Sequence, residues 1–205
     1  MISVLDLEFN QAFDFGNNKI GNQVNPKCRF EIIQIGAVKV DSDYKVIDRF
    51  NTYIKPSLYP RIHPYVEKIT GFTENSFIDS PTFPEAYLEF RKFLGDDTIL
   101  GTWGYSDIKA LFRNITFHNM HIEPIIMEYV DIQNLATNYL KFSKGGAIGL
   151  KSAVEKLEIN INDKIHFHNA LGDAYYTAKV LQKINPNKPL IRIFNSKHIK
   201  QSNNN

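Results

Sequence analysis

The stretch Val4–Asn10, VLDLEFN, carries two carboxylates in an otherwise apolar run. Side chains alternate between the two faces of a β-strand, so Asp6 and Glu8 share one face and Leu5 and Leu7 share the other. On a strand these two acids lie about 7 Å apart. An isolated D-x-E is more often an exposed strand face, but the apolar surroundings favour a central strand. Two partly buried anions on one face need a compensating cation, and a divalent metal ion is the simplest candidate.

The chain as a whole has the composition of an ordinary globular protein. It has 205 residues, a formal net charge of +2 and one cysteine, Cys28, which excludes an internal disulfide and a cysteine-rich zinc site. The N-terminal sequence lacks a signal peptide, and no run approaches the ~18 apolar residues of a membrane span. We therefore expect a soluble, cytoplasmic protein with no membrane association. The charge neither demands nor excludes nucleic acid.

The order of predicted elements indicates an α/β fold. Residues 2–10 and 30–40 are typical of strands, and 30–56 is typical of a β-hairpin. Helical and strand patterns then alternate, which predicts a mixed sheet flanked by helices, with antiparallel strands first and parallel strands later. We expect a single domain over 1–185 with an inserted loop at 11–28. A C-terminal extension over 186–205, partly flexible, would follow.

Asp107 is the second candidate for chemistry, in the segment LGTWGYSDIKAL. It follows a predicted strand and lies at the start of a predicted helix over 107–118, for which Ser106 is a plausible N-cap. An acid in a first helical turn is explained equally well by the helix dipole. However, α/β sheets place ligands at the carboxyl ends of their strands.

The third candidate is the pair His168 and Asp173 in HFHNALGDAYYTA. On one continuous helix these residues would point in different directions. If Asn169 caps the helix, His168 lies outside it and can approach Asp173, as a general base would. The alternative, a metal-binding pair of His166 and His168, rests on a short pattern. No phosphate-binding loop, dinucleotide fingerprint or serine-nucleophile motif occurs.

Together these motifs resemble the DEDD-type 3′–5′ exonucleases, in the subclass with a catalytic histidine that includes ribonuclease T and the proofreading subunit of bacterial replicative DNA polymerase. The resemblance covers residues 2–182 and includes EIIQIGAV, ITGFTE, WGYSD and HNALGDA. The W-G before Asp107 and the insertion after Glu8 are most similar to the branch that trims small RNAs and histone messages. Phe9 and Asn10 depart from the pattern, since the family often has Thr or another small residue after the glutamate.

The resemblance implies a ribonuclease H-like fold, with a mixed five-stranded sheet flanked by helices. It also implies that Asp6, Glu8, Asp107 and Asp173 bind two divalent ions, Mg²⁺ or Mn²⁺, with His168 as general base. The substrate would be a single-stranded RNA or DNA 3′ end, RNA slightly preferred, and the products nucleoside 5′-monophosphates. Four further residues are expected near the substrate: Phe9, Asn10, Trp103 and Tyr105.

Two other functions are compatible with the same motifs. A non-catalytic nucleic-acid-binding module could keep the fold, although such a module would be expected to have lost an acid or the histidine. An enzyme with the same metal site could also act on another phosphodiester, such as a short oligonucleotide or a damaged end.

Overall fold

A mixed β-sheet forms the centre of the protein. The computed structural model describes residues 1–13, 23–96, 98–120, 128–142, 146–163 and 165–194. The sheet has the strand order β3-β2-β1-β4-β5-β6. Strand β1 is antiparallel to β2 and parallel to β4, so it lies inside the sheet, as its apolar sequence predicts. The strands are β1 Ile2–Gln11, β2 Phe30–Val40, β3 Val46–Tyr53, β4 Ile99–Thr102, β5 Glu128–Asp131 and β6 Ile191–Ile193.

Helices cover both faces of this sheet. They are α1 Pro64–Thr70, α2 Phe83–Leu94, α3 Ser106–Phe117, α4 Ile132–Tyr139, α5 Leu150–Lys156 and α6 Ala170–Ile184, with a 3-10 helix at Glu74–Phe77. Local signals set several of their ends. The Glu85 side chain accepts a hydrogen bond from Thr82 N at the start of α2. Gly71 ends α1 with a φ of 74°, a left-handed conformation that glycine adopts without strain.

The alternation of strand β1 divides the hydrophobic core between the two faces. Leu5 and Leu7 pack with the apolar side chains of α2 and α3, such as Phe90 and Leu111. Val4 packs on the opposite face with residues of α4, α5 and α6. Asp6 and Glu8 lie on the Val4 side by the same alternation, and they therefore face the layer that contains α6.

The predicted mixed α/β sheet is confirmed, but the expected number of five strands is wrong. The additional strand, β6, is antiparallel to β5 and falls within the segment predicted as a C-terminal extension. Phe194 follows it, is buried, and stacks on Phe112 at 4.2 Å between ring centroids. The segment is therefore packed as far as residue 194. Residues 195–205 lie outside the described residues.

Two smaller predictions also differ from the structure. Helix α3 begins at Ser106 with Tyr105 as its N-cap, so Ser106 is the first helical residue rather than the cap. The predicted loop over 11–28 begins with the last residue of β1, and its part over 14–22 lies outside the described residues. Among the described helices, none has the length and apolar character needed to cross a membrane.

Candidate active site

Asp6 and Glu8 lie side by side on the central strand β1, facing α6. Asp6 pairs with Gly36 and Glu8 with Gln34 on the neighbouring strand β2. Both acids are half-buried. The ladder shifts register directly after Glu8, because Glu8 pairs with Gln34 whereas Phe9 pairs with Ile32. This leaves Ile33 as the extra residue of a β-bulge in β2, next to the site.

Helix α6 supplies the third carboxylate. One ligand oxygen each from Asp6, Glu8 and Asp173 can be chosen so that all three lie within 4.8 Å of one another. Asp173 Oδ2 accepts a hydrogen bond from the backbone N–H of His168 at 3.1 Å. Its other oxygen, Oδ1, is buried and has no hydrogen-bond partner. A buried carboxylate oxygen without a partner is costly, so this atom is aimed at a group that a ligand would supply.

Asp107 completes the group of acids from the first turn of α3. It is only 7% exposed. Its negative charge raises the pKa of both Asp6 and Glu8, which places its carboxylate near theirs. Asp107 is not one of the three acids whose oxygens form the closest group. The three strand and helix segments that the sequence analysis singled out therefore converge.

All four acids have raised pKa values. Burial is the largest cause in each case, and repulsion between the carboxylates adds to it at Asp6, Glu8 and Asp107. The pKa of Glu8 is raised to about 8, that of Asp107 to about 7 and that of Asp173 to about 6. The pKa of Asp6 is raised well above its usual value. Such crowding of anions in a poorly solvated place is relieved when a cation binds.

The residues present fit a divalent metal ion. Carboxylate oxygens are the ligands that Mg²⁺ and Mn²⁺ prefer. Among the described residues, the salt bridges join Lys45 to Asp43, Lys92 to Glu89 and Arg192 to Asp131, so none of them neutralises an acid of the site. The unpartnered Oδ1 of Asp173 offers one lone pair in the buried part of the group.

His168 lies at the exposed rim of the acids. Asn169 is the N-cap of α6, as predicted, and its side chain accepts a hydrogen bond from Gly172 N at 3.4 Å. His168 therefore precedes the helix and adopts a left-handed φ of 61°. Its imidazole is close enough to Asp173 to lower the pKa of that carboxyl, against the larger effect of burial.

Two residues that hold α6 against the sheet were missed by the sequence analysis. A Cβ atom on Gly36 would lie 2.1 Å from the backbone carbon of Ala170, so only glycine allows the helix to start this close to β2. The buried Gln34 side chain accepts a hydrogen bond from Ala170 N at 3.1 Å and donates one to Asn51 Oδ1 at 2.9 Å. The available signal was a glutamine and a glycine inside the apolar strand EIIQIGAV.

The four residues that were predicted near the substrate differ in their burial and in their contacts. Asn10 is fully buried; it donates to the carbonyls of Tyr59 and Arg61 and accepts from His63 N. Its side chain holds the 59–63 segment and has no donor left for a substrate.

Trp103 is half-buried against the core on the α6 face. Tyr105 is 37% exposed, and its ring packs on Phe194 at 5.8 Å between centroids. Phe9 is half-buried and packs against the core on the α2–α3 face.

A comparison with known protein families identifies the family of this chain. The exonuclease family model RNase_T matches residues 4–181, most of the chain. The chain belongs to this exonuclease family. It is a 3′–5′ exonuclease of the DEDD superfamily, as the motifs indicated, and exonucleases of this type use divalent metal ions. The four acids and His168 all lie within the matched residues 4–181.

Relatives of this family member include replication and exonuclease proteins. DNA polymerase III subunit epsilon of Aquifex aeolicus (strain VF5) is 28% identical over 170 residues, covering 75% of this chain and 82% of that protein. The probable 3′-5′ exonuclease KapD of Bacillus subtilis (strain 168) is 24% identical, covering 77% and 75%. The PolC-type DNA polymerase III of Clostridium perfringens (strain 13 / Type A) is 26% identical, but only 10% of that protein is matched.

A solved structure with the same fold is the nuclease domain of 3′hExo, a DEDDh family member bound to rAMP. The TM-score is 0.74 at 21% identity, and the match covers 95% of this chain and 96% of that one. At this identity the likeness concerns the fold alone. It confirms the predicted ribonuclease H-like architecture of this exonuclease.

Proposed function

We propose that this exonuclease removes nucleotides from the 3′ ends of single-stranded nucleic acid and releases nucleoside 5′-monophosphates. RNA is the slightly preferred substrate. The observation that carries the proposal is the set of converging acids, of which Asp6, Glu8 and Asp173 bring oxygens within 4.8 Å. No salt bridge of the described residues neutralises this set.

In this proposal Asp6, Glu8, Asp107 and Asp173 hold two divalent ions, Mg²⁺ or Mn²⁺. When bound, the ions make water a stronger acid and neutralise charge on the phosphate oxygens. The protein contributes the fixed positions of the ligands. Asp6 and Glu8 are fixed by the β1–β2 ladder, and Asp173 by the hydrogen bond from His168 N.

His168 is proposed as the general base. Its imidazole accepts the proton of the attacking water, whose oxygen forms a bond to phosphorus while the bond to the 3′-oxygen of the preceding nucleotide breaks. An imidazole suits this task near neutral pH. The position supports the role, since His168 is exposed at the rim of the acids and lies outside α6. The backbone N–H of His168 donates to Asp173 Oδ2 at 3.1 Å, which keeps the residue next to this acid.

The slight preference for RNA rests on two observations. The W-G before Asp107 and the insertion after Glu8 resemble the branch that trims RNA. The structural neighbour 3′hExo was solved with rAMP. The sequence relatives with DNA polymerase names are the reason to test both sugars side by side.

The test uses matched RNA and DNA oligonucleotides labelled at the 5′ end, incubated with Mg²⁺ or Mn²⁺. We expect a ladder that shortens from the 3′ end, nucleoside 5′-monophosphates as products, and somewhat faster loss of RNA. Asp6→Asn should abolish the ladder, because it removes a ligand charge while keeping the side-chain shape. Asp48→Asn, on the exposed edge strand β3, is the matched control and should behave as the unaltered protein.

The contrary outcomes are distinct. Binding of both oligonucleotides without any cleavage, with either metal, would favour the non-catalytic binding module instead. Faster loss of DNA than of RNA would overturn the sugar preference and leave the exonuclease activity in place.

A further inference from the structure

Two buried polar atoms without a hydrogen-bond partner lie on helix α6, one turn apart. Across the described residues, five buried side-chain atoms have no such partner: Ser3 Oγ, Tyr87 Oη, Trp103 Nε1, Asp173 Oδ1 and Thr177 Oγ1. Asp173 and Thr177 are four residues apart on α6, so their side chains lie on the same face of the helix. Binding of a metal ion gives Asp173 Oδ1 a partner but leaves the hydroxyl of Thr177 unexplained.

Thr177 differs from the other threonines of the described helices. The hydroxyls of Thr70, Thr116 and Thr137 each donate to the carbonyl four residues earlier, at 2.8, 2.9 and 2.7 Å. Such local bonds satisfy a helical threonine without any other partner. The equivalent acceptor for Thr177 is the carbonyl of Asp173, and the hydroxyl makes no bond to it. The hydroxyl is therefore available for a partner outside the backbone of its own helix.

Packing alone does not explain a threonine at this position. Thr177 is 1% exposed, so bulk water cannot satisfy its hydroxyl. Valine has nearly the same shape and would fill the same space without burying a polar atom. Buried polar groups normally have a partner, in the protein or in an ordered water.

Helix geometry brings this hydroxyl within one water of Asp173. Side chains lean toward the N-terminus of a helix, so Thr177 leans toward the turn that carries Asp173, and their Cβ atoms are about 5–6 Å apart. Two oxygens bridged by one water lie about 4.5–5.5 Å apart, since each O–H···O bond spans about 2.7–2.8 Å. One water can therefore accept a hydrogen bond from Thr177 and donate one to Asp173 Oδ1.

Asp173 gains a second attachment from such a bridge. Its Oδ2 already accepts a hydrogen bond from His168 N at 3.1 Å. A carboxylate held through one oxygen can still turn about its Cβ–Cγ bond, and a bond to Oδ1 prevents this. An ionised carboxylate oxygen has two lone pairs, so Oδ1 can accept from the water and still bind an ion. Hydrogen bonds behind a metal ligand set its orientation and the affinity of the site.

We propose that Thr177 is a positioning residue of the metal site, whose hydroxyl holds Oδ1 of Asp173 through one buried water. This inference rests on the proposed function, in which Asp173 is a ligand of a divalent ion. Thr177 itself contacts neither the ion nor the substrate. Loss of the hydroxyl should therefore weaken ion binding more than it slows the reaction at saturating ion concentration.

The first experiment measures the binding of Mn²⁺ alone, without substrate, from the EPR signal of the free ion. Thr177→Val keeps the side-chain shape and removes the hydroxyl, so it should weaken Mn²⁺ binding about ten-fold. Thr177→Ser keeps the hydroxyl and should bind Mn²⁺ within a few-fold of the unaltered protein. At saturating Mn²⁺, kcat of Thr177→Val for an oligonucleotide should also stay within a few-fold.

Thr116→Val is the matched control for this titration. Thr116 is an exposed helical threonine whose hydroxyl bonds within its own helix, α3. The same change of side chain there should leave the affinity for Mn²⁺ unaltered.

The second experiment tests the link to Asp173 in the metal-free protein. Melting temperatures in EDTA are compared for Thr177→Val, Asp173→Ala and the double variant. If one water joins the two side chains, removing either side chain's oxygen breaks the same bridge, so the two shifts in melting temperature should not add. This readout is independent of ion binding and of activity.

Several outcomes would overturn the inference. Unchanged Mn²⁺ affinity in Thr177→Val would do so, and so would additive shifts in melting temperature. Equal losses of affinity in Thr177→Ser and Thr177→Val would assign the effect to packing rather than to the hydroxyl. Absence of Mn²⁺ binding by the unaltered protein would refute the proposed metal site together with the inference. Mn²⁺ binding that depends on the hydroxyl, without hydrolysis of any oligonucleotide, would refute the proposed reaction and still support the positioning role.

Discussion

The acids of strand β1 and the acid of helix α6 reach the site by different means. Asp6 and Glu8 are neighbours because side chains alternate along a strand, so their proximity depends only on local geometry. Asp173 reaches them because Gly36 allows α6 to begin against β2 and Gln34 binds its first N–H. The first arrangement is local and the second depends on contacts that are distant in sequence. Changes at the start of α6 should therefore displace Asp173 and leave Asp6 and Glu8 in place.

The largest effect is expected from replacing His168, which directly precedes the N-cap of α6. His168→Asn should lower kcat by about 10²–10⁴, because it removes the proposed base. The melting temperature should not change, since His168 is exposed and Asn tolerates the left-handed backbone at this position. Single-turnover rates at saturating Mg²⁺ measure the effect.

His166→Asn is the matched control, because His166 is also exposed and lies two residues earlier. It should leave the rate within a few-fold of the unaltered protein. Equal losses of metal affinity in both variants would indicate the alternative H-x-H metal pair instead.

A methyl group at the contact between α6 and the sheet should have the next largest effect. In Gly36→Ala the new Cβ would overlap the backbone of Ala170 and Leu171, so α6 must move. We expect a loss of about 1–3 kcal/mol in the free energy of unfolding. The displacement of Asp173 should lower kcat/KM about 10²-fold. Urea unfolding and oligonucleotide degradation measure the two quantities.

Gly146→Ala is the control for this substitution, since a Cβ on Gly146 meets nothing within 4 Å. It should leave both stability and activity unchanged. If Gly36→Ala lowers stability without lowering activity, the position of α6 is not what brings Asp173 into the site.

The smallest effect concerns the pH dependence of stability without metal. Burial and mutual repulsion raise the pKa of Glu8 to about 8, of Asp107 to about 7 and of Asp173 to about 6. Between roughly pH 4 and pH 8 the folded protein therefore binds more protons than the unfolded chain, and the free energy of unfolding falls as pH rises. We therefore expect the melting temperature of the metal-free protein to fall as pH rises through this range.

Mg²⁺ should reverse this trend, because ion binding favours the deprotonated acids and acts more strongly at higher pH. Thermal melts across this pH range, with EDTA or with Mg²⁺, measure both curves. A metal-free protein that becomes more stable as pH rises through this range would contradict the crowding of uncompensated acids.

The sequence was sufficient to predict the strand-borne part of the site and much of the helix-borne part. Alternation in VLDLEFN placed Asp6 and Glu8 on one face, and Asn169 marked the start of α6 and left His168 outside it. Both features depend on a few consecutive residues, where local geometry dominates. Convergence of the segments depended on the resemblance and on the rule for strand ends.

What the sequence did not reveal depends on contacts made across the fold. Strand β6 has only three residues, and its pairing with β5 is visible only when the sheet is formed. Asn10 was expected near the substrate from the resemblance, and nothing in the sequence indicated that its side chain also bonds to the 59–63 segment. Gly36 and Gln34 are unremarkable strand residues until the backbone of α6 lies against them.

The extra residue in β2 lets one strand pack against three different groups of side chains. Ile32 and Ile35 pack on the α2–α3 face, whereas Ile33, the bulged residue, joins the separate cluster of Val66, Phe72 and Phe77. A regularly pleated strand has only two faces, so it could not pack against a third group of side chains as well. The inserted Ile33 attaches the α1 layer to the sheet together with Tyr53 of β3, whose ring packs on Phe72 and Phe77. Removing Ile33 would therefore weaken the attachment of the α1 layer, while Asp6 and Glu8 keep the face that the pleat of β1 gives them.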